Sequence, residues 1–467
     1  MSDYTMTIGG GAVDSDLAFG VINPARGELF ANAPQCSPAQ LDDAFDAALR
    51  ASGEWRIDEV LRRKLLIDAG DALIGAADEL SAVLTAEQGK PLSSAKGEIV
   101  SAGECLKYFA GLEIPVDVLF EDNELSVRVV RRPLGVVAAI TPWNFPITLA
   151  VWKIAPALLA GNTMVLKPSP FTPLATLAMG ALLADVLPPG VLNVVSGGNE
   201  LGAQMTAHAV PRKISFTGSV ATGKRVALSA AQDLKRVTLE LGGNDPAIVL
   251  DDADPGVIAK RIFWGAFSNN GQICAAIKRV YVPESLHDEL VEALVDVARD
   301  VVVGDGADEG TQLGPLNNRP QFERVRGLVL DAIQGGAVAA IGGHPMHGSG
   351  YFFEPTILTN VHDGVRIVDE EQFGPALPIV KYRDIDEVVG HANATHFGLQ
   401  GSVWSSDVER ASQVAERLEC GTSYVNAHLA MVPNQPFGGV KWSGVGVENG
   451  PMGLEQFSDV QVLYTRR

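Results

Sequence analysis

The residue best placed for covalent chemistry is Cys274, which follows the polar run Ser268-Asn269-Asn270-Gly271-Gln272-Ile273 between two apolar segments. A free cysteine is ordinarily a small buried hydrophobe, and these surroundings argue for more. Gly271 lets backbone approach closely, and Asn269 and Asn270 suit an irregular turn. A thiol among backbone N–H donors can be held as thiolate, the form that attacks carbonyl carbon. Three strand ends carry groups with complementary roles. Asn144, in Thr141-Pro142-Trp143-Asn144-Phe145-Pro146 after the apolar run Gly135 to Ile140, puts a neutral amide where open parallel sheets bind ligands; a Pro-fixed turn accounts for the same residues equally well. Glu240, in Thr238-Leu239-Glu240-Leu241-Gly242-Gly243, is a carboxylate between apolar neighbours, and burial would raise its pKa toward that of a useful base. Lys167, in Leu166-Lys167-Pro168-Ser169, is either solvated or placed for a ribose or phosphate.

Gly218-Ser219-Val220-Ala221-Thr222-Gly223-Lys224-Arg225 comes close to a nucleoside-triphosphate loop, but Arg225 stands where the magnesium-binding hydroxyl should be. A strand, a glycine loop and a helix N-terminus still suit a pyrophosphate, because N-terminal amides and the helix dipole favour an anion. The dinucleotide fingerprint G-x-G-x-x-G is absent, so this loop alone is a weak signal.

The elements that must carry these groups read as two α/β units. Ser37-Pro38 with Leu41, Ala44, Phe45, Ala48 and Leu49 predicts a capped amphipathic helix. Helical patterning continues from Arg62 to Glu87, where Gly89-Lys90-Pro91 stops it, and again from Gly97 to Tyr108. Glu124 to Arg132 alternates with exposed charge and predicts an edge strand or projecting hairpin. Short Val/Ile/Leu runs follow at Gly135 to Ile140, Thr163 to Leu166, Val191 to Val195, Lys213 to Phe216 and Val237 to Leu239, most of them separated by helix-length segments. This is the texture of a parallel sheet covered on both faces. Beyond the hinge Gly242-Gly243 it restarts with Ala247 to Leu250, a helix near Val257 to Phe267, Val280 to Val282, and a helix from Leu286 to Val297. It runs on through Phe353 to Leu358, Leu377 to Val380, Ser402 to Trp404 and Ser423 to Val425.

The 467 residues suffice for two or three domains, since single cores stop growing at about 250 to 300 residues. A formal net charge of −20 argues against nucleic-acid or anionic-membrane partners. Cys36, Cys105, Cys274 and Cys420 show no Cys-x-x-Cys spacing, so neither a disulfide framework nor a metal site is expected and a reducing compartment fits. The first residues lack a secretory pattern, and no run approaches the roughly 18 apolar residues of a membrane span, so a cytoplasmic protein is expected.

Taken together, Pro142-Trp143-Asn144-Phe145-Pro146, Lys167-Pro168-Ser169, Phe216-Thr217-Gly218-Ser219, Glu240-Leu241-Gly242-Gly243, Gly271-Gln272-Ile273-Cys274, Glu371-Gln372-Phe373-Gly374-Pro375 and Pro436-Phe437-Gly438-Gly439 resemble the aldehyde dehydrogenase superfamily over essentially the whole chain. Each motif is weak alone; seven in the family's order leave little room for chance. The resemblance implies a Rossmann-like cofactor domain in 1–113 and 133–241, a catalytic domain in 242–442, and a β oligomerisation arm in 114–132 and 443–467. A homodimer or homotetramer is the implied assembly.

The resemblance further implies that Cys274 attacks an aldehyde, that Asn144 and the Cys274 N–H meet the oxyanion, and that Glu240 activates water to release the acid. Oxyanion donors of this kind are worth about 3 to 4 kcal/mol each. Glu448 matches a second glutamate of the family. NAD or NADP would lie against Ile140, Thr141, Pro142, Trp143, Lys167, Ser169, Pro170, Gly198, Gly202, Phe216, Thr217, Gly218, Ser219 and Leu241, with Glu371 and Phe373 at the nicotinamide end. Phe145, Trp152, Ile273 and Phe437 match the substrate tunnel and imply an apolar aldehyde, although core packing is an alternative for the aromatics.

Two departures bear on the cofactor. Members that prefer NAD follow Lys-Pro-Ser with a glutamate for the adenosine ribose, where this chain has Pro170, and the turn Val195-Ser196-Gly197-Gly198-Asn199 is one residue short. Lys167, with Arg212 or Lys213, would then attract a 2′-phosphate, so both NAD and NADP are expected. A CoA-acylating dehydrogenase and a non-catalytic binding protein on the same fold are the rival readings; Glu240 disfavours the first, and the Cys274, Glu240 and Asn144 set disfavours the second.

Overall fold

The computed structural model describes residues 4–467. One eight-stranded sheet runs, edge to edge, through Gly444–Val445, Arg236–Glu240, Lys213–Thr217, Val136–Ile140, Thr163–Lys167, Leu192–Val194, Met6–Ile8 and Gly11–Val13. The five strands from Arg236–Glu240 to Leu192–Val194 are parallel, and the flanking ones pair antiparallel. Val136–Ile140 and Thr163–Lys167 are buried at every position, as continuous apolar strands covered by helices on both faces must be. Helix Pro38–Trp55 is one such cover, and its start is fixed as expected: Ser37 Oγ accepts from Gln40 N–H at 3.2 Å while Gln40 Oε1 accepts from Ser37 N–H at 2.9 Å.

The seven-stranded second sheet has the order Val338–Ile341, Thr356–Val361, Ala376–Tyr382, Ile277–Pro283, Asp245–Val249, Gln400–Trp404 and Thr422–Val425. Only four residues, 241–244, link Glu240 at the carboxyl end of a first-sheet strand to Asp245 at the amino end of a central second-sheet strand. Asp245 pairs with Ile277, three residues past Cys274. The link is stitched by Leu241 N–H to Ser443 O at 2.8 Å and Ser443 Oγ to Gly242 O at 2.8 Å. The carboxyl crest of the first sheet and the turn bearing Cys274 are thereby held together.

A third sheet of Ser458–Arg466, Leu125–Pro133 and Asp117–Glu121 stands apart as the arm. Its outer surface is strongly apolar, with Val118, Leu119, Phe120, Val460, Val462 and Tyr464 all exposed.

Three sequence expectations shift, and one element is new. The helical stretch from Arg62 to Glu87 is two helices, Glu59–Gly75 and Ala77–Gln88, broken where Ala76 adopts φ −92° and ψ 9°. Gly75 weakens the helix there, and acidic Asp78 and Glu79 favour a new N-terminus. The strand expected at Phe353 to Leu358 begins only at Thr356, after Pro355, which has no N–H to donate. Residues 443–467 divide between sheets: Gly444–Val445 pairs with Arg236–Glu240, and only Ser458–Arg466 joins the arm. The hairpin Ala18–Asn23 with Glu28–Pro34 had no counterpart in the sequence reading.

Candidate active site

Strand register gathers the predicted first-sheet residues. Ile140 lies opposite both Lys167 and Phe216, and Thr217 lies opposite Glu240, so four carboxyl ends form one crest. Gly202, on helix Asn199–Ala207, approaches this crest; a Cβ there would stand 3.8 Å from Ile140 Cδ1 and 3.9 Å from Lys167 Cε. Lys167 is buried, donates to Pro168 O at 2.8 Å, and has its pKa lowered to about 8 by that burial. Thr141 Oγ1 is buried without a partner. Ser219 caps helix Val220–Ala231 by accepting from Thr222 N–H at 3.3 Å. Gly223 packs closely on the strand end: a Cβ there would come within 2.5 Å of the Leu241 side-chain methyl. Lys224 lies over the Trp442 ring at 3.3 Å. This crest, an unpartnered hydroxyl and a capped helix N-terminus fit a dinucleotide.

Arg212 and Lys213 do not belong to that site. Both lie at the amino end of Lys213–Thr217, opposite the crest. Lys213 is buried there, donating to Thr238 Oγ1 at 2.6 Å with its ammonium over Phe457. Parallel strands turn one end only toward a ligand, so Lys167 is the cation the crest retains.

The turn before Cys274 is unusual backbone. Asn269, Asn270 and Gly271 take φ of 50°, 57° and 72° in succession. Asparagine tolerates this region and Gly271 is obligatory, because a Cβ would come within 2.3 Å of Gly374 O. Gln272 locks the turn, donating to Asn269 O at 2.9 Å and accepting from Asn317 N–H at 2.8 Å. Asn144 Nδ2 donates to Gln272 O at 3.0 Å, which joins the two predicted loops across the sheets. The half-buried Cys274 has its pKa pushed up to about 12, chiefly by burial; Lys278 acts in the opposite sense, and Glu371, Asp245 and Glu240 add to the rise. The isolated protein therefore holds a thiol, not the thiolate the sequence suggests.

Glu240 is 2% exposed and neither carboxyl oxygen has a hydrogen-bond partner. Burial raises its pKa well above the ordinary range, the Glu448 charge adds to this, and Lys153 opposes it. Glu448 is itself buried, bonded to Lys153 Nζ and accepting from Ser215 Oγ at 3.2 Å. Glu371 Oε1 accepts from Gly243 N–H at 3.1 Å, and a Cβ on Gly242 would lie 2.2 Å from its Oε2. Trp143 and Phe373 meet edge to face with centroids 5.3 Å apart.

Trp152, Ile273 and Phe437 pack with Ala275, Leu399 and Leu429 around Cys274, and the Trp152 and Phe437 rings are 5.2 Å apart. Phe145 stands outside this cluster, its ring face covered by Lys90 Nζ at 3.9 Å. Gly198 is the N-cap of helix Asn199–Ala207; Ser169 is buried, and Pro142 and Pro170 are half-buried.

Four charged residues escaped the sequence reading. Lys153 interrupts the otherwise apolar helix Pro146–Leu159, and that interruption was the available signal. Lys90 and Glu98 form a buried pair at 2.5 Å; Lys90 also donates to Asn144 O at 2.9 Å, while Glu98 accepts from Ile147 and Thr148 N–H at 3.0 and 3.1 Å. These two residues fix the Asn144 loop and cap the helix after it, a tertiary arrangement without local sequence signature. Lys278 is a buried charge inside strand Ile277–Pro283.

A cysteine and a raised-pKa carboxyl, set between a dinucleotide-type sheet and a second α/β unit, are the arrangement of an oxidoreductase. The chain belongs to the aldehyde dehydrogenase family, whose model matches residues 12–463. It is 39% identical to betaine aldehyde dehydrogenase of Brucella anthropi over 95% of this chain and 93% of that one. It is 37% identical to the NADP(+) succinate-semialdehyde dehydrogenase of Escherichia coli over 96% and 94% of the two chains. An NAD+ complex structure of aldehyde dehydrogenase from Bacillus cereus superposes with TM-score 0.96 at 34% identity, covering 99% of this chain and 96% of that one. No helix among the described residues is long and apolar enough to cross a membrane.

Proposed function

We propose that the protein oxidises an apolar aldehyde to its carboxylic acid with NAD or NADP, through acyl transfer to Cys274 and hydrolysis. The observation that carries this reading is Cys274 in an apolar cluster with the unpaired, raised-pKa Glu240 near enough for its charge to act on the sulfur. Cys274, losing its proton to solvent water, attacks the carbonyl carbon through sulfur. The Asn144 amide, already anchored to Gln272 O by one N–H, has a second N–H to offer the oxyanion beside the Cys274 backbone N–H. The bound cofactor supplies the hydride acceptor. Its binding draws on Ile140, Thr141, Trp143, Lys167, Gly202 and Ser219 at the crest and on Glu371 and Phe373 opposite. The product on the protein is a Cys274 thioester. Glu240 takes a proton from water, whose oxygen adds to the thioester and frees the acid and the thiol. Glu448 and Lys153 hold the charge state of that base from behind.

Trp152, Ile273, Leu429 and Phe437 line the approach to the sulfur with no charge among them. His428, beside them, donates from Nε2 to Ala275 O at 2.9 Å and is neutral, its pKa lowered to about 4 by burial. This lining supports an apolar substrate over the charged aldehydes in the names of the relatives. The exposed apolar arm supports a homodimer or homotetramer, and four free cysteines support the cytoplasm. The test is NAD(P)H formation over straight-chain, aromatic, cationic and carboxylate-bearing aldehydes. The highest kcat/KM is expected for uncharged apolar members; a preference for a charged one would overturn the substrate assignment.

A further inference from the structure

Lys278 lies four residues past Cys274 and is only 2% exposed, yet no role has fallen to it. Its Nζ donates to Ile273 O and, at 3.4 Å, to Gly271 O, and it lies 5.3 Å from the centroid of the Phe373 ring. Two carbonyls and an aromatic face satisfy the three N–H groups of an ammonium, the arrangement a buried charge requires. The Ile273 carbonyl belongs to the same peptide as the Cys274 N–H. A cation on one end of a peptide polarises it and strengthens the donor at the other.

We propose that Lys278 is a positioning residue for the thiol, its ammonium clamping the peptide carbonyls before Cys274 and supplying the positive charge that favours the thiolate. This rests on the reading of Cys274 as nucleophile. Among the groups whose charges act on that sulfur, Lys278 is the cation and Glu371, Asp245 and Glu240 are the acids. Burial lowers the Lys278 pKa, and Glu371, Asp245 and Cys274, which it faces, act in the opposite sense by favouring its charged form. Asp245 is buried and its pKa stands well above the ordinary range, chiefly through burial. Neighbouring His428 is neutral, and the Arg279 guanidinium is engaged elsewhere, donating to Asn244 O at 3.0 Å and Ala392 O at 2.8 Å. Lys278 is thus the cation that offsets burial at the sulfur.

The test is the rate at which iodoacetamide alkylates Cys274 in the full-length enzyme at fixed neutral pH, with the site mapped by mass, since the thiolate fraction sets that rate. Wild type, Lys278→Gln, Lys278→Met and Lys278→Arg are compared. The amide of Lys278→Gln keeps N–H donors at the clamp and removes only the charge, so it carries the test if Lys278→Met does not fold. In the uncharged variants the rate is expected to fall about tenfold, the loss of thiolate that corresponds to about one pKa unit, and Lys278→Arg should restore most of it. Equal rates for wild type and Lys278→Gln would overturn the proposal. Turnover that survives full Cys274 alkylation sinks the nucleophile assignment, whatever the rates do.

Discussion

Lys153 and Glu448 form an ion pair in which neither side chain is more than 1% exposed, joining a helix of the first unit to a residue 295 positions later. Lys153 also donates to Thr217 Oγ1 at 2.7 Å on the crest, and both members of the pair act on Glu240. The charge of the candidate base is thereby tied to the C-terminal segment. Lys153→Met removes the one cation that lowers the Glu240 pKa. A base works as carboxylate, so kcat limited by hydrolysis should rise with pH through the raised Glu240 pKa. In Lys153→Met that limb should move to higher pH. A pH profile of kcat in which the limb stays in place would remove Lys153 from this role.

Cys274→Ala deletes the sulfur and little volume. Turnover should fall below about 1% of wild type while cofactor binding and the unfolding temperature stay close to it. Steady-state assays and thermal melts measure both.

Glu240→Gln leaves acyl transfer partly working and stalls hydrolysis, because an amide takes no proton from water. An acyl mass should accumulate on the tryptic peptide bearing Cys274. Unchanged turnover would count against the base and reopen a CoA-acylating reaction, which added CoA would then reveal.

Glu98→Ala strips the partner from Lys90 and leaves a buried ammonium against Asn144 O. Breaking such a pair typically costs about 3 to 5 kcal/mol. Denaturant unfolding should show a loss of that order. A change below about 1 kcal/mol would mean that water or relaxation compensates.

Pro170 neither accepts from a ribose nor repels a 2′-phosphate, so both cofactors should serve, with kcat/KM values within about a hundredfold, under about 3 kcal/mol. Lys167 is the crest's cation, and it loses charge as pH rises through its pKa of about 8. The NADP-to-NAD ratio of kcat/KM should therefore decline across that range. Pro170→Glu should shift preference toward NAD by adding ribose acceptors and a repelling charge. A strictly NAD-dependent wild type, unmoved by the substitution, would place discrimination elsewhere.

Local sequence determined a good deal. Continuous Val/Ile/Leu runs that must be buried on both faces specified the parallel strands, and the turn chemistry of Asn269, Asn270 and Gly271 marked the loop that presents Cys274. Seven short motifs carried the family. The arm strand Ser458–Arg466 is a nine-residue antiparallel partner of Leu125–Pro133. Tertiary structure alone decided the electrostatics. Whether a Lys or Glu is buried, and what faces it, depends on residues distant in sequence, as Lys90 with Asn144, 54 positions apart, and Lys153 with Glu448, 295 positions apart, demonstrate. Strand direction likewise separated Lys167, on the crest, from Arg212 and Lys213 at the far end, although all three flank apolar strands of the same texture. Desolvation and the charges gathered around a site are properties of the assembled fold, and they set Cys274 as a resting thiol and Glu240 as an unpaired acid.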